Sequence, residues 1–271
     1  KATNIVLGHD LRPSSPAIAA ACAAAIQSLG MQVVYGGALP TPALALYAAQ
    51  LGAPAIVVTG SHIPFDRNGI KFYREEGEIT KADERAMLDF LVGVPRDLKL
   101  PALPAPDPRV EQAYVRRYVD FFGTEALAGE TIAVYEHSSV ARDVLRTILE
   151  ALGAEVISLG RTDVFVPIDT EAVRHEDIKQ AREWAELHDF DAIVSTDGDA
   201  DRPLIGDERG EWLRGDVVAG ITLAAYLMPA AIGDASLAFD VGQTGELVLQ
   251  FTDITQNLGG NRLRGVPTDD N

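Results

Sequence analysis

The chain carries one order of elements twice, and this internal repeat restricts its folding more than any other feature. Asn4-Ile5-Val6-Leu7 is a short apolar run. It is followed by a polar turn over residues 9–15, an alanine-rich helical stretch ending at Leu29-Gly30, and a second apolar run, Gln32-Val33-Val34-Tyr35. The order returns at Thr131-Ile132-Ala133-Val134-Tyr135, with a polar turn over 136–139, a helical stretch over 140–153 and a second run at Glu155-Val156-Ile157-Ser158. In each copy Gly30 or Gly153 stands just past the helix, where a left-handed cap needs no Cβ. Short apolar strands alternating with helices predict parallel sheets covered on both faces. Each copy then adds a third strand, Ala55-Ile56-Val57-Val58 or Ala192-Ile193-Val194-Ser195, that runs into a polar loop. The fold class predicted is α/β: repeated α/β modules with mixed, mainly parallel sheets facing a shared cleft, and an incomplete third module.

Residues 93–108 separate the copies and hold Pro95, Pro101, Pro104, Pro106 and Pro108, a spacing that reads as a stiff linker. An amphipathic helix is predicted over 109–122, a short hairpin around 207–210, and a helix over 216–227 that opens a third module. Past residue 228 the pattern degrades. These boundaries give three domains: 1–108 with the serine loop and linker, 109–210 with the acidic loop, and a partial one over 211–271. A length of 271 residues suits two domains plus a fragment.

Composition narrows the partners. Lys and Arg total 23 against 40 Asp and Glu, a net charge of −17, which repels nucleic acid and anionic lipid. No apolar stretch is long enough to span a bilayer, and residues 1–10 read as a strand rather than a signal peptide. Cys22 alone excludes a disulfide framework and fits a reducing compartment, so a cytoplasmic protein is expected. Cys22 reads as a small apolar group, Trp184 and Trp212 as packing residues, and the scattered His137, His175 and His188 as surface or capping groups. Oligomeric state leaves no mark in the sequence.

Two loops carry the chemistry. Thr59-Gly60-Ser61-His62-Ile63-Pro64 leaves a buried-type strand at the end where open α/β sheets bind ligands. Gly60 and Pro64 force a sharp turn that presents Ser61, with Arg67 and Lys71 close behind. A hydroxyl beside such cations suits a phosphate carrier. An unremarkable loop and a Ser-His hydrolase are the competing readings, the latter weakened because adjacent residues rarely aim at one another. In the second loop Asp197, Asp199 and Asp201 alternate with Gly198 and Ala200. Three carboxylates so close repel unless a cation joins them, and all-oxygen ligation favours Mg²⁺. A solvated acidic turn is the alternative. An EF-hand fails because Arg202-Pro203 stand where that loop needs a glycine. Arg202 adds a fixed positive fork for a phosphate or carboxylate.

These residues carry a family resemblance. The stretch T-G-S-H-I-P-F-D-R-N-G-I-K over 59–71 resembles the active-site serine loop of the α-D-phosphohexomutases, which include phosphomannomutase and phosphoglucomutase. D-G-D-A-D-R over 197–202 resembles that family's metal loop, and G-H-D-L-R-P-S-S over 8–15 its first-strand motif. The resemblance spans roughly 1–228. It implies a phosphoserine at Ser61, with Mg²⁺ held by Asp197, Asp199, Asp201 and a phosphoserine oxygen. It further implies a proton shuttle at Lys71, and Arg12 and His62 steadying the transferring group. Arg202 lies by the same centre. The implied reaction interconverts hexose 1-phosphate and 6-phosphate, of mannose or glucose, through a 1,6-bisphosphate. The family's Glu-containing sugar loop and its Arg-Pro-Ser-Gly phosphate loop have no match, and those segments are expected to lie outside this sequence. A metal-dependent phosphatase and an inactive sugar-phosphate binding protein are the alternatives.

Overall fold

Neighbouring residues of the first strand enter different cores. Val6 joins Leu44, Tyr47, Val57 and Val110, whereas Leu7 joins Ala23, Tyr35, Val33 and Ile56. That alternation is the period-two signature of a strand buried on both faces. The computed structural model describes residues 3–61, 63–64, 66–90, 100–218, 239–241 and 247–249.

Within residues 1–215, which form one compact unit, the first sheet contains β1 (Asn4–His9), β2 (Gln32–Ala38), β3 (Ala55–Val58), β4 (Ile70–Arg74) and β5 (Gly77–Glu78), in the order β2-β1-β3-β4-β5. β1 pairs parallel with β2 and β3, while β4 and β5 add antiparallel pairs. The second sheet contains β6 (Thr131–Tyr135), β7 (Glu155–Leu159), β8 (Ala192–Thr196) and β9 (Pro203–Gly206), in the order β7-β6-β8-β9. Its first three strands are parallel and β9 is antiparallel. The second sheet therefore repeats the first, less one edge strand, as the repeat in the sequence predicts. The fold class is α/β with mixed, mainly parallel sheets.

The helices cover both faces. α1 (Ser15–Ser28) packs on β1, β2 and β3, and α2 (Thr41–Leu51) packs on β1 and β3. α3 (Lys81–Asp89) opens with a capping box in which Thr80 and Asp83 bond reciprocally. In the second module α5 (Arg142–Ala151) packs on β6 and β7, and α6 (His175–Leu187) contributes Ala181 and Trp184 to a core with Tyr135, Ile193 and Trp212. α1 and α5 end alike: Gly30 and Gly153 adopt φ of +73° and +98°, and each motif closes with paired backbone bonds to the last turn. Complete burial of a side chain such as Leu44 or Val57 stabilises the fold by about 1.5–3 kcal/mol each.

α4 (Pro108–Phe122) belongs to neither sheet alone. Val110 and Ala113 lie in the core of the first sheet, while Tyr114, Val115, Tyr118 and Val119 pack against α5 together with Leu11, Ala38 and Ala200. This shared helix holds the two sheets in one body. The proline-rich segment leads into it, with Pro108 at the first helical position, where a missing N–H costs nothing.

In the unit over residues 216–271, β10 (Phe239–Val241) and β11 (Leu247–Leu249) pair antiparallel. The expected third module is described only over 211–218 and in these two strands, so the helix expected over 216–227 is described only as far as residue 218. Among the described residues no helix is long and apolar enough to cross a membrane.

Candidate active site

Both loops singled out in the sequence leave the C-terminal ends of central strands, Thr59-Gly60-Ser61 after β3 and Asp197 to Arg202 after β8. They meet. The Ser61 Oγ donates to Asp197 Oδ2 at 2.9 Å, across 136 residues of sequence. Lys71, on β4, donates from Nζ to Asp199 Oδ2 at 2.8 Å and to Asp201 Oδ2 at 2.6 Å. β4 pairs with β3 so that Lys71 faces Val57, which carries the ammonium to the same edge as the serine.

The serine turn is built around Asp10. This fully buried carboxylate accepts from the backbone and guanidinium of Arg12, the hydroxyls of Ser15 and Thr59, and the Gly60 N–H. Thr59 Oγ1 accepts from the Ser61 N–H at 2.8 Å. Arg12, its side chain wholly buried, reaches on to the carbonyls of Ser61 and Ile63 and lies under the ring of Phe165, 4.4 Å from its centroid. A Cβ on Gly60 would stand 2.9 Å from Arg12 Cζ, so the glycine is needed for this close approach. The left-handed residue of the turn is Ser61 itself, at φ +48°. Ala200, in the acidic loop, sits at φ +58°. Such positions cost of order 1–3 kcal/mol each and concentrate where a fold fixes a functional geometry.

The three carboxylates of the acidic loop are placed so that they could hold a metal ion. Oxygens of Asp197, Asp199 and Asp201 all lie within 4.8 Å of one another. Burial, and then the charges of Asp199 and Asp201, push the Asp197 carboxyl up to about 7. Burial acts upward on Asp199 too, but Lys71 and the Thr41 hydroxyl hold it below the usual carboxylate range. The Lys71 ammonium is pulled down by burial and pushed further up by its bonds and attraction to Asp199 and Asp201, ending above its ordinary value. Asp199 Oδ1 is buried without a hydrogen-bond partner. An orphaned carboxylate oxygen beside two further carboxylates fits a hard divalent cation, which would supply the missing positive charge.

Of the expected site residues, Ser61, Lys71, Asp197, Asp199 and Asp201 come together directly. Arg12 supports them from beneath the serine turn. Arg202 is at the rim, with Nη1 3.2 Å from Glu171 and Nε 3.9 Å from Asp201. His62 lies outside the described residues. Arg67 is exposed on the loop. Sequence reasoning missed Thr41 and Phe165, and it used Asp10 only as part of a motif.

The histidines differ from expectation in one place. His137, read as a surface or capping group, is fully buried, because it closes the end of β6 by bonding Nε2 to the Thr196 carbonyl at 2.9 Å while its ring packs on Tyr135.

Residues 1–90 match the family domain described as phosphoglucomutase/phosphomannomutase, alpha/beta/alpha domain I, and residues 112–210 match alpha/beta/alpha domain II of the same family. The chain belongs to the phosphoglucomutase/phosphomannomutase family. It is 50% identical over 220 residues to a phosphomannomutase of Salmonella muenchen, covering 80% of this chain and 45% of that protein. To a phosphomannomutase of Sinorhizobium fredii (strain NBRC 101917 / NGR234) it is 48% identical over 235 residues, covering 82% and 48%. The chain thus spans about half the length of the curated relatives it matches. A crystal structure of a phosphoglucomutase/phosphomannomutase family protein from Burkholderia thailandensis superposes with a TM-score of 0.64 at 23% identity, over 82% of this chain and 51% of that one, and shows the shared fold. Ser61 and the Asp197–Asp201 trio fall within the matched domains I and II respectively.

Proposed function

We propose that this chain carries the phosphoserine and metal part of a phosphohexomutase that interconverts hexose 1-phosphate and 6-phosphate, of mannose or glucose, through a 1,6-bisphosphate. The observation that carries this reading is the direct bond between Ser61 Oγ and Asp197 Oδ2, which joins the hydroxyl to the acidic trio. The likeness to the phosphomannomutases supports the substrate class.

In this mechanism phosphorylated Ser61 is the donor. A hexose hydroxyl oxygen attacks phosphorus, the P–Oγ bond breaks, and the hydroxyl proton passes to Lys71 Nζ as that group gives its own proton to the departing oxygen. Lys71, protonated beside Asp199 and Asp201, is the shuttle and supplies a proton to the departing oxygen. When the bisphosphate donates its other phosphoryl group, Ser61 Oγ is the nucleophile and the proton flow reverses. Asp197, Asp199 and Asp201 would hold Mg²⁺ together with an oxygen of the phosphoserine. When bound, Mg²⁺ supplies charge neutralisation for the phosphoryl group in flight. Arg12 acts through the loop: its bonds to the Ser61 and Ile63 carbonyls fix the hydroxyl in place. Proposed roles for His62, steadying the transferring group, and for Arg202, binding substrate, come from the matching motif.

We keep the division 1–108, 109–210 and 211–271 as the proposed domain organisation, with α4 as the joint. A cytoplasmic setting and the exclusion of nucleic acid as partner rest on the single Cys22 and the net charge of −17.

The test is a side-by-side assay of mannose, glucose and glucosamine phosphates, on the chain and on a protein of its relatives' full length. Accumulation of an isomeric sugar phosphate supports the mutase. Release of inorganic phosphate alone would replace it with a phosphatase, and binding without turnover with an inactive binding protein.

A further inference from the structure

One residue outside every motif of the site grips the metal loop from the opposite module. Thr41 is 2% exposed and sits at the first turn of α2, flanked by Pro40 and Pro42. Its Oγ1 donates to Asp199 Oδ2 at 2.6 Å, and its backbone N–H donates to the Asp199 carbonyl at 2.9 Å. The two residues are 158 positions apart.

The flanking prolines sharpen this contact. Pro42 has no N–H, and the Ala43 and Leu44 N–H groups turn back to the Pro40 carbonyl. The Thr41 N–H is thereby the first-turn donor turned outward to Asp199.

The consequence concerns which oxygen is free. Asp199 Oδ2 is saturated by Thr41 Oγ1 and Lys71 Nζ, and the carbonyl is held by the Thr41 amide. Rotation of the carboxylate would break both side-chain bonds. Oδ1 is buried and has no partner.

We propose that Thr41 is a positioning residue of the metal site, clamping Asp199 from the serine-bearing module so that Oδ1 is presented to the cation. This rests on the proposed role of Asp199 as a metal ligand. Because the clamp spans the two modules, it also couples the seating of the metal loop to the module that carries Ser61.

The experiment measures Mn²⁺ affinity by titration calorimetry on the whole chain, for wild type, Thr41→Ser, Thr41→Val, Thr41→Ala and Asp199→Asn, each checked by a metal-free thermal melt. Loss of a residue that orients a ligand weakens metal binding roughly 10- to 100-fold, and that range is expected for Thr41→Val and Thr41→Ala. Thr41→Ser keeps the hydroxyl and should bind within about threefold of wild type, as a bond-for-bond replacement. Wild-type affinity in a folded Thr41→Val or Thr41→Ala, alongside lost binding in Asp199→Asn, overturns the inference and leaves the metal site standing. Failure of both variants to fold also overturns it, by assigning Thr41 to the stability of the fold. No Mn²⁺ binding by wild type removes the metal site itself.

Discussion

His137 makes the stability of this protein depend on pH in a way its fold dictates. Its Nε2 must carry the proton, because it faces the Thr196 carbonyl, and the buried Nδ1 has no hydrogen-bond partner. Protonating Nδ1 would place a cation where nothing accepts its hydrogen. Burial, opposed by the bond to the Thr196 carbonyl, lowers the imidazole from 6.5 to about 4. The unfolded chain therefore binds a proton that the folded chain refuses between those values. The stabilisation is complete above 6.5 and is lost as pH falls towards 4. With those limits the loss is about 2 kcal/mol between pH 7 and pH 5, and about 3 kcal/mol once both states are protonated. Asp197 works in the opposite sense. Its carboxyl, raised to about 7, keeps a proton in the folded state that the unfolded state gives up, so its contribution to stability grows as pH falls. The two effects separate by comparing wild type with His137→Asn, since asparagine tolerates the φ of +26° and does not titrate. Urea denaturation at matched Mg²⁺ should show wild type losing about 2 kcal/mol more than the variant between pH 7 and pH 5. Parallel curves for the two proteins would refute the reasoning.

Three further outcomes follow from the site. Asp199→Asn should weaken metal binding and turnover together, and chelation of the wild type should abolish turnover reversibly; loss of turnover at undiminished affinity for the metal would separate Asp199 from the cation. Phe165→Leu removes the ring that covers Arg12 and should cost about 1 kcal/mol or more by urea denaturation, the order of a cation–π pair. Unchanged stability there would show that the stacking contributes nothing.

Much of the architecture was legible because local and global signals agree. The paired runs at Val6-Leu7 and Ala133-Val134 mark the central strands, and Gly30 and Gly153 mark the helix ends at which they close. The serine and acidic loops stood out because each follows an interior-type strand, while the roles assigned to their residues came from the family resemblance and not from spacing. What escaped is long-range. β4 became an antiparallel strand by pairing with β3, a matter of register that no pattern in Ile70 to Arg74 declares. Thr41 reads as an ordinary helix start, and its partner lies far away in sequence. Phe165 stands in an irregular stretch with no periodicity, yet it covers Arg12. His137 looked like a loop residue because a polar turn gives no hint that Tyr135 and the end of β8 at Thr196 will enclose it.

Phosphate on the serine hydroxyl is the claim on which the mechanism turns. The most direct measurement is peptide-level mass spectrometry of the chain after incubation with a hexose 1,6-bisphosphate and Mg²⁺, alongside Ser61→Ala. The account predicts a phosphate localised to Ser61 that disappears when a hexose monophosphate is added as acceptor, with no label in the variant. An unmodified Ser61 in wild type, or isomerisation that persists in Ser61→Ala, would contradict it.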